Sequence, residues 1–195
     1  MVRPPRALLA GGAAVLTVAL LRAAARPRPG TRIDRAQCVT SVQSAALPAL
    51  DAVGEALEDP AALTRLAEGY WAHVERLFRG LVVAPRAEGG RRVSLLVAPL
   101  ALLRLAGPAT VPGRAAWRVT GGLLGRDGEL AVEVERARAG DAARVRVVLE
   151  GYRPSLAVHG HPGLYLATQA RVHEWVGRRW LAGLQREEPP EGGSP

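Results

Sequence analysis

Two segments flanking Gly140-Asp141, ELAVEVERARA before and AARVRVVLEGY after, alternate apolar and charged residues with a period of two. A β-strand turns successive side chains to opposite faces, so this alternation requires a sheet with one face in water and one covered. Taking Gly140-Asp141 as the central residues of a two-residue turn sets Val134 opposite Val147, Val132 opposite Leu149 and Glu135 opposite Arg146. Apolar pairs then share one face and an ion pair lies on the other. The rest of the chain must supply a cover for the apolar face.

Such a cover stands at the C-terminal end. From Pro162, which suits a first helical residue, to residue 186 the apolar residues recur at helical spacing. Leu164, Tyr165, Thr168, Val172, Trp175 and Val176 fall on one face with Trp180 at its margin, while Arg171, Glu174, Arg178 and Gln185 fall on the solvent side. At about 1.5 Å per residue such a helix is roughly 37 Å long and can span a whole sheet.

Upstream, LPALDAVGEALED reads as a short helix and DPAALTRLAEGYWAHVERLFRG as a longer one, with Asp59 as its cap, Pro60 in its first position and Gly80 at its end. Leu63, Leu66, Tyr70, Val74 and Leu77 make one stripe; Arg65, Glu68, Glu75 and Arg79 stand opposite, the last two spaced for an i,i+4 pair. A strand is expected around residues 33–42. RRVSLLVAPLALLRL reads as one or more buried strands bent or broken at Pro99, and AAWRVTGGLL as another that leads into the turn GRDG. Gly121-Gly122 within it marks a bulge or a close backbone approach.

The 195 residues allow one domain with appendages, and 48% hydrophobic residues suffice for a core. A net charge of +8 raises the question of nucleic acid, but seven of the 26 basic residues lie within the first 35 positions, accompanied there by Asp34 as the one acid. This basic excess flanks an uncharged run, residues 7–21, where it would meet anionic lipid headgroups, and no nucleic-acid partner is expected. Extended to Ala25 the run is about 28 Å long as a helix.

Two readings of residues 1–25 stand. One is a single-pass N-terminal anchor at the cell membrane; the other is a signal segment cleaved near Ala23-Ala24-Ala25, with export of the remainder. Arg22, Arg26 and Arg28 crowd the cleavage position and favour the anchor. Residues 26–32 form a proline-broken linker, residues 33–186 the domain and residues 187–195 a tail expected to be disordered. Cys38 is the single cysteine, which excludes an internal disulfide and a cysteine zinc site.

Strand, two helices, antiparallel meander and long amphipathic C-terminal helix follow one another in helix-grip order. Over residues 33–186 the chain resembles the SRPBCC, or START-like, superfamily. LPALDAVGEALEDPAALTRL looks like that family's segment in which a proline opens one helix and Asp-Pro the next, with Pro48, Val53, Leu57, Asp59 and Pro60 at the matching positions. Gly54 departs from it, standing where the family often has an aromatic. The resemblance implies an α+β fold: a curved antiparallel sheet covered by a long C-terminal helix and two short helices, here preceded by a membrane segment. It also implies an apolar cavity under the C-terminal helix, with lipids, polyketides or hormones as ligands and cyclisation or dehydration in a minority of members.

Some residues are candidates for that cavity. Arg136 shares the face of Val132 and Val134, and Arg179 falls within the apolar arc of the last helix. Turned inward, two guanidinium groups suit a carboxylate or phosphate; near a hairpin tip and a helix end, both can also reach water. Tyr70, Trp117, Tyr152, Trp175 and Trp180 are pocket aromatics or plain core. The candidate ligand contacts are therefore Tyr70, Trp117, Arg136, Tyr152, Trp175 and Arg179.

His159, His161 and His173 have no carboxylate at ligand spacing, so no metal is expected, and His73 reads as structural. With no G-x-S-x-G, P-loop or G-x-G-x-x-G sequence, neither a catalytic residue nor a cofactor is expected. The expectation is a membrane-anchored domain that binds an apolar or amphipathic, lipid-like small molecule. A non-catalytic module with a filled core and an unknown protein partner is the alternative; a cyclase or dehydratase is the third reading.

Overall fold

A computed structural model describes residues 30–48, 51–95, 98–137 and 142–186. The expected N-terminal segment, most of the linker, the turn residues Gly140-Asp141 and the tail lie outside them. Among the described residues no helix is long and apolar enough to cross a membrane.

The chain runs β1 (Thr31–Ile33), β2 (Val39–Pro48), α1 (Asp51–Glu58), α2 (Pro60–Leu77), β3 (Val82–Val83), β4 (Arg86–Ala87), β5 (Gly90–Leu95), β6 (Ala98–Val111), β7 (Arg114–Gly121), β8 (Gly125–Arg126), β9 (Glu129–Arg136) and β10 (Ala142–Pro154). Three helical pieces close it: α3 (Ser155–Val158), α4 (Pro162–Ala167) and α5 (Gln169–Leu184). The strands form one antiparallel sheet in the order β1-β2-β10-β9-β7-β6-β5-β3, with β4 on β5 and β8 on β10. This is an α+β architecture with a large sheet and a C-terminal helical cover.

The β9–β10 hairpin keeps its expected faces and changes its register. Val134 pairs with Val145, Val132 with Val147 and Leu130 with Leu149, two residues away from the pairing a two-residue turn would impose. Ala137 N–H donates to Ala142 O at 2.8 Å, so the connection between them is longer than two residues. A slip of two preserves parity, and every side chain keeps its face. On the outer face Arg146 now meets Glu133 at 3.0 Å, with Glu135 at 3.2 Å. On the inner face Trp117 stands beside Leu130, fully buried.

Helix α2 starts as its sequence demands: the Asp59 carboxylate accepts from Ala61 N at 2.8 Å and Ala62 N at 3.1 Å, and Pro60 fills the first position. It ends where Arg79 and Gly80 both take positive φ, 52° and 73°. Leu63, Leu66, Tyr70 and Val74 are buried as expected, and Trp71, one position off the stripe, is buried with them. Trp71 stands edge-on to Tyr70 at 5.3 Å and to Trp117 at 5.6 Å. Glu75 does not serve Arg79; its carboxylate accepts the N–H of Ala84 at 2.7 Å and so ties α2 to the chain leaving it.

Two expected elements are divided. The strand around residues 33–42 is β1 and β2, with β1 beginning inside the supposed linker. The Asp34 carboxylate accepts Cys38 N–H at 2.8 Å and Gln37 takes φ 61°, which together reverse the chain between them. The C-terminal helix is interrupted at Thr168 (φ −122°, ψ −82°), whose hydroxyl donates to Leu164 O at 2.6 Å. A side chain that bonds the carbonyl four residues back competes with the helical ladder there.

The face of α5 also differs from expectation. Glu174, placed on the solvent side, is 4% exposed and accepts from Thr31 Oγ1 at 2.5 Å. Thr31 in turn bonds Ser41 Oγ at 2.7 Å, and Gln43 Nε2 donates to Ser41 Oγ at 2.7 Å. Gly177 leaves room for this line, since a Cβ there would stand 2.7 Å from Gln43 Oε1. Leu164, expected inside, is exposed on α4. Helices α2 and α5 meet where Tyr70 and Trp180 stand edge-on at 5.6 Å.

Candidate functional site

A cavity of about 620 Å³ lies between the inner face of the sheet and helices α2 and α5. Its floor comes from Leu105, Val119, Leu130 and Leu149 on four successive strands of the sheet, and its walls from Tyr70 and Val74 on α2 and Val172 and Val176 on α5. The β6–β7 ladder beside this space is irregular twice, between Arg104 and Leu105 and between Ala106 and Ala109. At the first of these, Gly122 takes φ +140° with its α-carbon against Leu102 and Leu103, a fit that a Cβ would abolish. Gly122 thus supplies the close approach the pair suggested, while a Cβ on Gly121 would meet nothing within 4 Å. Leu123, 59% exposed, and the exposed His159 mark the mouth.

Among the described residues the lining is predominantly hydrophobic and contains no aspartate, glutamate or arginine. Its polar groups include Ser155, Thr168, Gln169, His159 and His173 with the phenols of Tyr70, Tyr152 and Tyr165, the rings of the last two lying 6.5 Å apart. Gln169 Nε2 donates to the Tyr152 hydroxyl at 2.6 Å and to Leu124 O at 3.3 Å. A carbonyl oxygen can only accept, so the amide nitrogen faces Leu124 and the orientation of the amide is set. Gln169 Oε1 is left buried and without a hydrogen-bond partner, as is His173 Nε2 one turn further along α5. Burial raises the Tyr152 phenol above its ordinary pKa, partly offset by the bond from Gln169, and raises Tyr70 and Tyr165 in the same direction.

Burial also lowers His173 from 6.5 to about 4. The residue as a whole is half-buried, yet its Nε2 is shut off from water, which is what disfavours the imidazolium. Above pH 6.5 the ring is neutral in both folded and unfolded chains and contributes no pH dependence. As pH falls below 6.5 the unfolded chain takes up a proton that the folded chain refuses until about pH 4, so stability declines through that window and levels off below it. The expected loss is on the order of 3 kcal/mol between pH 7 and pH 4, and His173→Phe removes that share of the slope. Urea unfolding of both proteins at several pH values checks this; parallel profiles would mean that His173 takes up its proton at an ordinary pH.

Of the six expected ligand contacts, the structure brings Tyr70 and Tyr152 to the cavity wall. Trp117 is core, wedged against Trp71, and Trp175 packs edge-on against Phe78 at 6.1 Å. The two arginines do not meet. Arg136, at the last residue of β9, reaches past the sheet to Glu58 on α1 at 2.7 Å and is exposed. Arg179 is also exposed and borders a separate groove of about 490 Å³ between α1, α2 and α5, with Arg65, Arg76 and Arg186 around it and Trp180 in its floor. His73 lines this groove too, while His159 and His173 line the cavity and His161 stands exposed between α3 and α4. Among the described residues no group of three His, Cys, Asp or Glu is placed to hold a metal.

Gln169 was missed by sequence reasoning and His173 was weighed there only as a metal ligand, although a signal for both existed. With Val172 and Val176 they occupy i, i+3, i+4 and i+7 on one helix face, two polar residues set in an otherwise apolar stripe.

No family model and no curated protein matches the chain. Among solved structures it is similar to XoxI from Bacillus cereus, with 10% identity over 73% of this chain and 95% of that one and a TM-score of 0.41. It is similar to CalU16 from Micromonospora echinospora, with 15% identity over 84% and 75% of the two chains and a TM-score of 0.37. It is also similar to a protein from Arthrobacter aurescens, with 12% identity over 84% and 98% and a TM-score of 0.40.

Proposed function

We propose that this chain is a START-like domain of the helix-grip type that holds an apolar or amphipathic small molecule in the cavity beneath α5, and that residues 1–25 anchor it in the cell membrane. The observation that carries this reading is the cavity itself. Its volume of about 620 Å³ falls within the range of roughly 300–1,000 Å³ usual for small-molecule sites, and its lining pairs a wide apolar surface with a few polar groups. The order of elements, with a meander between two N-terminal helices and a C-terminal cover, supports the START-like assignment. The uncharged run at residues 7–21, flanked by arginines, supports the anchor. A cyclase or dehydratase, the third reading, would have to draw its acid and base from the histidines and tyrosines of the lining, His159, His173, Tyr152 and Tyr165.

The test is native mass spectrometry of the full chain after incubation with a total lipid extract. One small molecule per chain, released on denaturation, is the expected result. A bare chain mass under the same conditions would overturn the proposal in favour of an interaction module.

A further inference from the structure

We infer that the groove between α1, α2 and α5 is the seat of this chain's own acidic segment, residues 187–195, which crosses it from Arg186 toward Arg76. The groove is separate from the cavity, and the segment's seat there stands whether or not the cavity holds a guest.

The groove carries positive charge that the described residues do not answer. On the sheet, arginines meet carboxylates: Arg114 lies 3.1 Å from Glu133, and Arg146 lies 3.0 Å from the same residue. Around the groove, of about 490 Å³, Arg65, Arg76, Arg179 and Arg186 stand with one acid, Glu55, and Arg65 already holds that carboxylate at 3.4 Å. Among the described residues, Arg76, Arg179 and Arg186 pair with no carboxylate. Their guanidinium groups repel one another across an apolar floor of Leu66, Trp180 and Leu184, and an anion laid between them relieves that repulsion.

Such anions begin at the next residue. EEPPEGGSP supplies Glu187, Glu188 and Glu191 and no base. Arg186 belongs to the groove wall, so the segment starts where the groove does. Arg179 is about 10 Å back along the helix by its rise, and residues 187–191 extended reach about 17 Å, enough to bring Glu191 across to Arg179 or Arg76. Pro189-Pro190 restricts the segment's conformers, so less entropy is lost when it is laid down. Exposed ion pairs are individually weak, but a segment tethered at the groove's edge meets it at an effective concentration in the millimolar range.

The chain contains no lysine, so Arg179→Lys and, separately, Arg76→Lys each place a single side-chain amine on the groove wall while keeping the charge. A water-soluble carbodiimide joins such an amine to a carboxylate in contact with it. The full chain is held in non-ionic detergent, and peptide mass mapping of the monomer identifies the partner. Arg178→Lys is the control: Arg178 is exposed like Arg179 and as near to residue 186, but lies off the groove. Both groove variants are expected to join Glu187, Glu188 or Glu191 at about fivefold or more the yield of the control, and to fall toward it in about 0.5 M NaCl. Equal yields in Arg178→Lys and Arg179→Lys overturn the inference, because a segment free of the groove samples both positions. Cross-links confined to Glu55 overturn it in favour of an anion from outside the chain, such as a phosphatidylglycerol headgroup.

Discussion

Glu68→Ala is expected to destabilise the fold by about 3–5 kcal/mol, because it leaves a guanidinium buried without its carboxylate. Arg91 on β5 is 9% exposed and pairs with Glu68 on α2, while its other donor bonds Ala84 O. Its guanidinium lies 5.8 Å from the centre of the Trp71 ring, and burial lowers its pKa. With Glu68 gone, a carbonyl and the face of an indole are what remain for the charge, and neither supplies the missing opposite charge. Arg86, 3.3 Å from Glu68, is largely exposed and adds little. Urea unfolding of Glu68→Ala, Arg91→Met and the double variant measures the coupling. The double variant should recover to within about 2 kcal/mol of wild type, since replacing both members of a buried pair costs far less than removing one. A loss below about 1 kcal/mol in Glu68→Ala would mean that the pair is screened by water and does not hold α2 to the sheet.

Val172→Trp and Leu103→Trp are expected to abolish binding of the neutral fluorophore N-phenyl-1-naphthylamine while leaving the melting temperature unchanged or raised. Both residues line the cavity and are half-buried, one on α5 and one on β6, so an indole from either position enters space that the native side chains leave open. A filled core would respond differently, since added volume in a packed interior forces strain costing about 1–3 kcal/mol. Loss of binding with retained stability therefore separates an open cavity from a packed core in one pair of measurements. Binding that persists in both variants would place the probe elsewhere, with the arginine-rimmed groove between α1 and α5 as the next site to fill.

The parts of this architecture that depend on local rules were legible in the sequence. The Asp59 cap, the proline after it, the stripe of α2 and the two faces of β9 and β10 each follow from residues a few positions apart. What escaped depends on residues distant in the chain. Glu68 and Glu174 have the polarity of solvent-facing positions on their own helices; Glu68 is half-buried and Glu174 buried because Arg91 and Thr31 arrive from strands elsewhere. The hairpin register moved by two because loop length, unlike parity, leaves no mark in an alternating pattern. The cavity was implied by resemblance but could not be read from periodicity, which says which face a side chain takes and not how far the opposing face stands from it. Arg136 illustrates the limit: its parity is inward, yet it sits at the end of its strand and leaves the sheet for Glu58.

The interruption at Thr168 separates two jobs that an unbroken helix would have to perform together. A single rod from Pro162 to Leu184 could move at its mouth end only by dragging Glu174, Val176, Trp180 and Leu181 out of the interior with it. Divided, the sixteen residues of α5 keep those contacts while the six of α4, held inward by Tyr165, answer to the mouth alone. The free energy of displacing the short piece is thereby uncoupled from that of unfolding the domain, so α4 can shift without loosening the wall behind it.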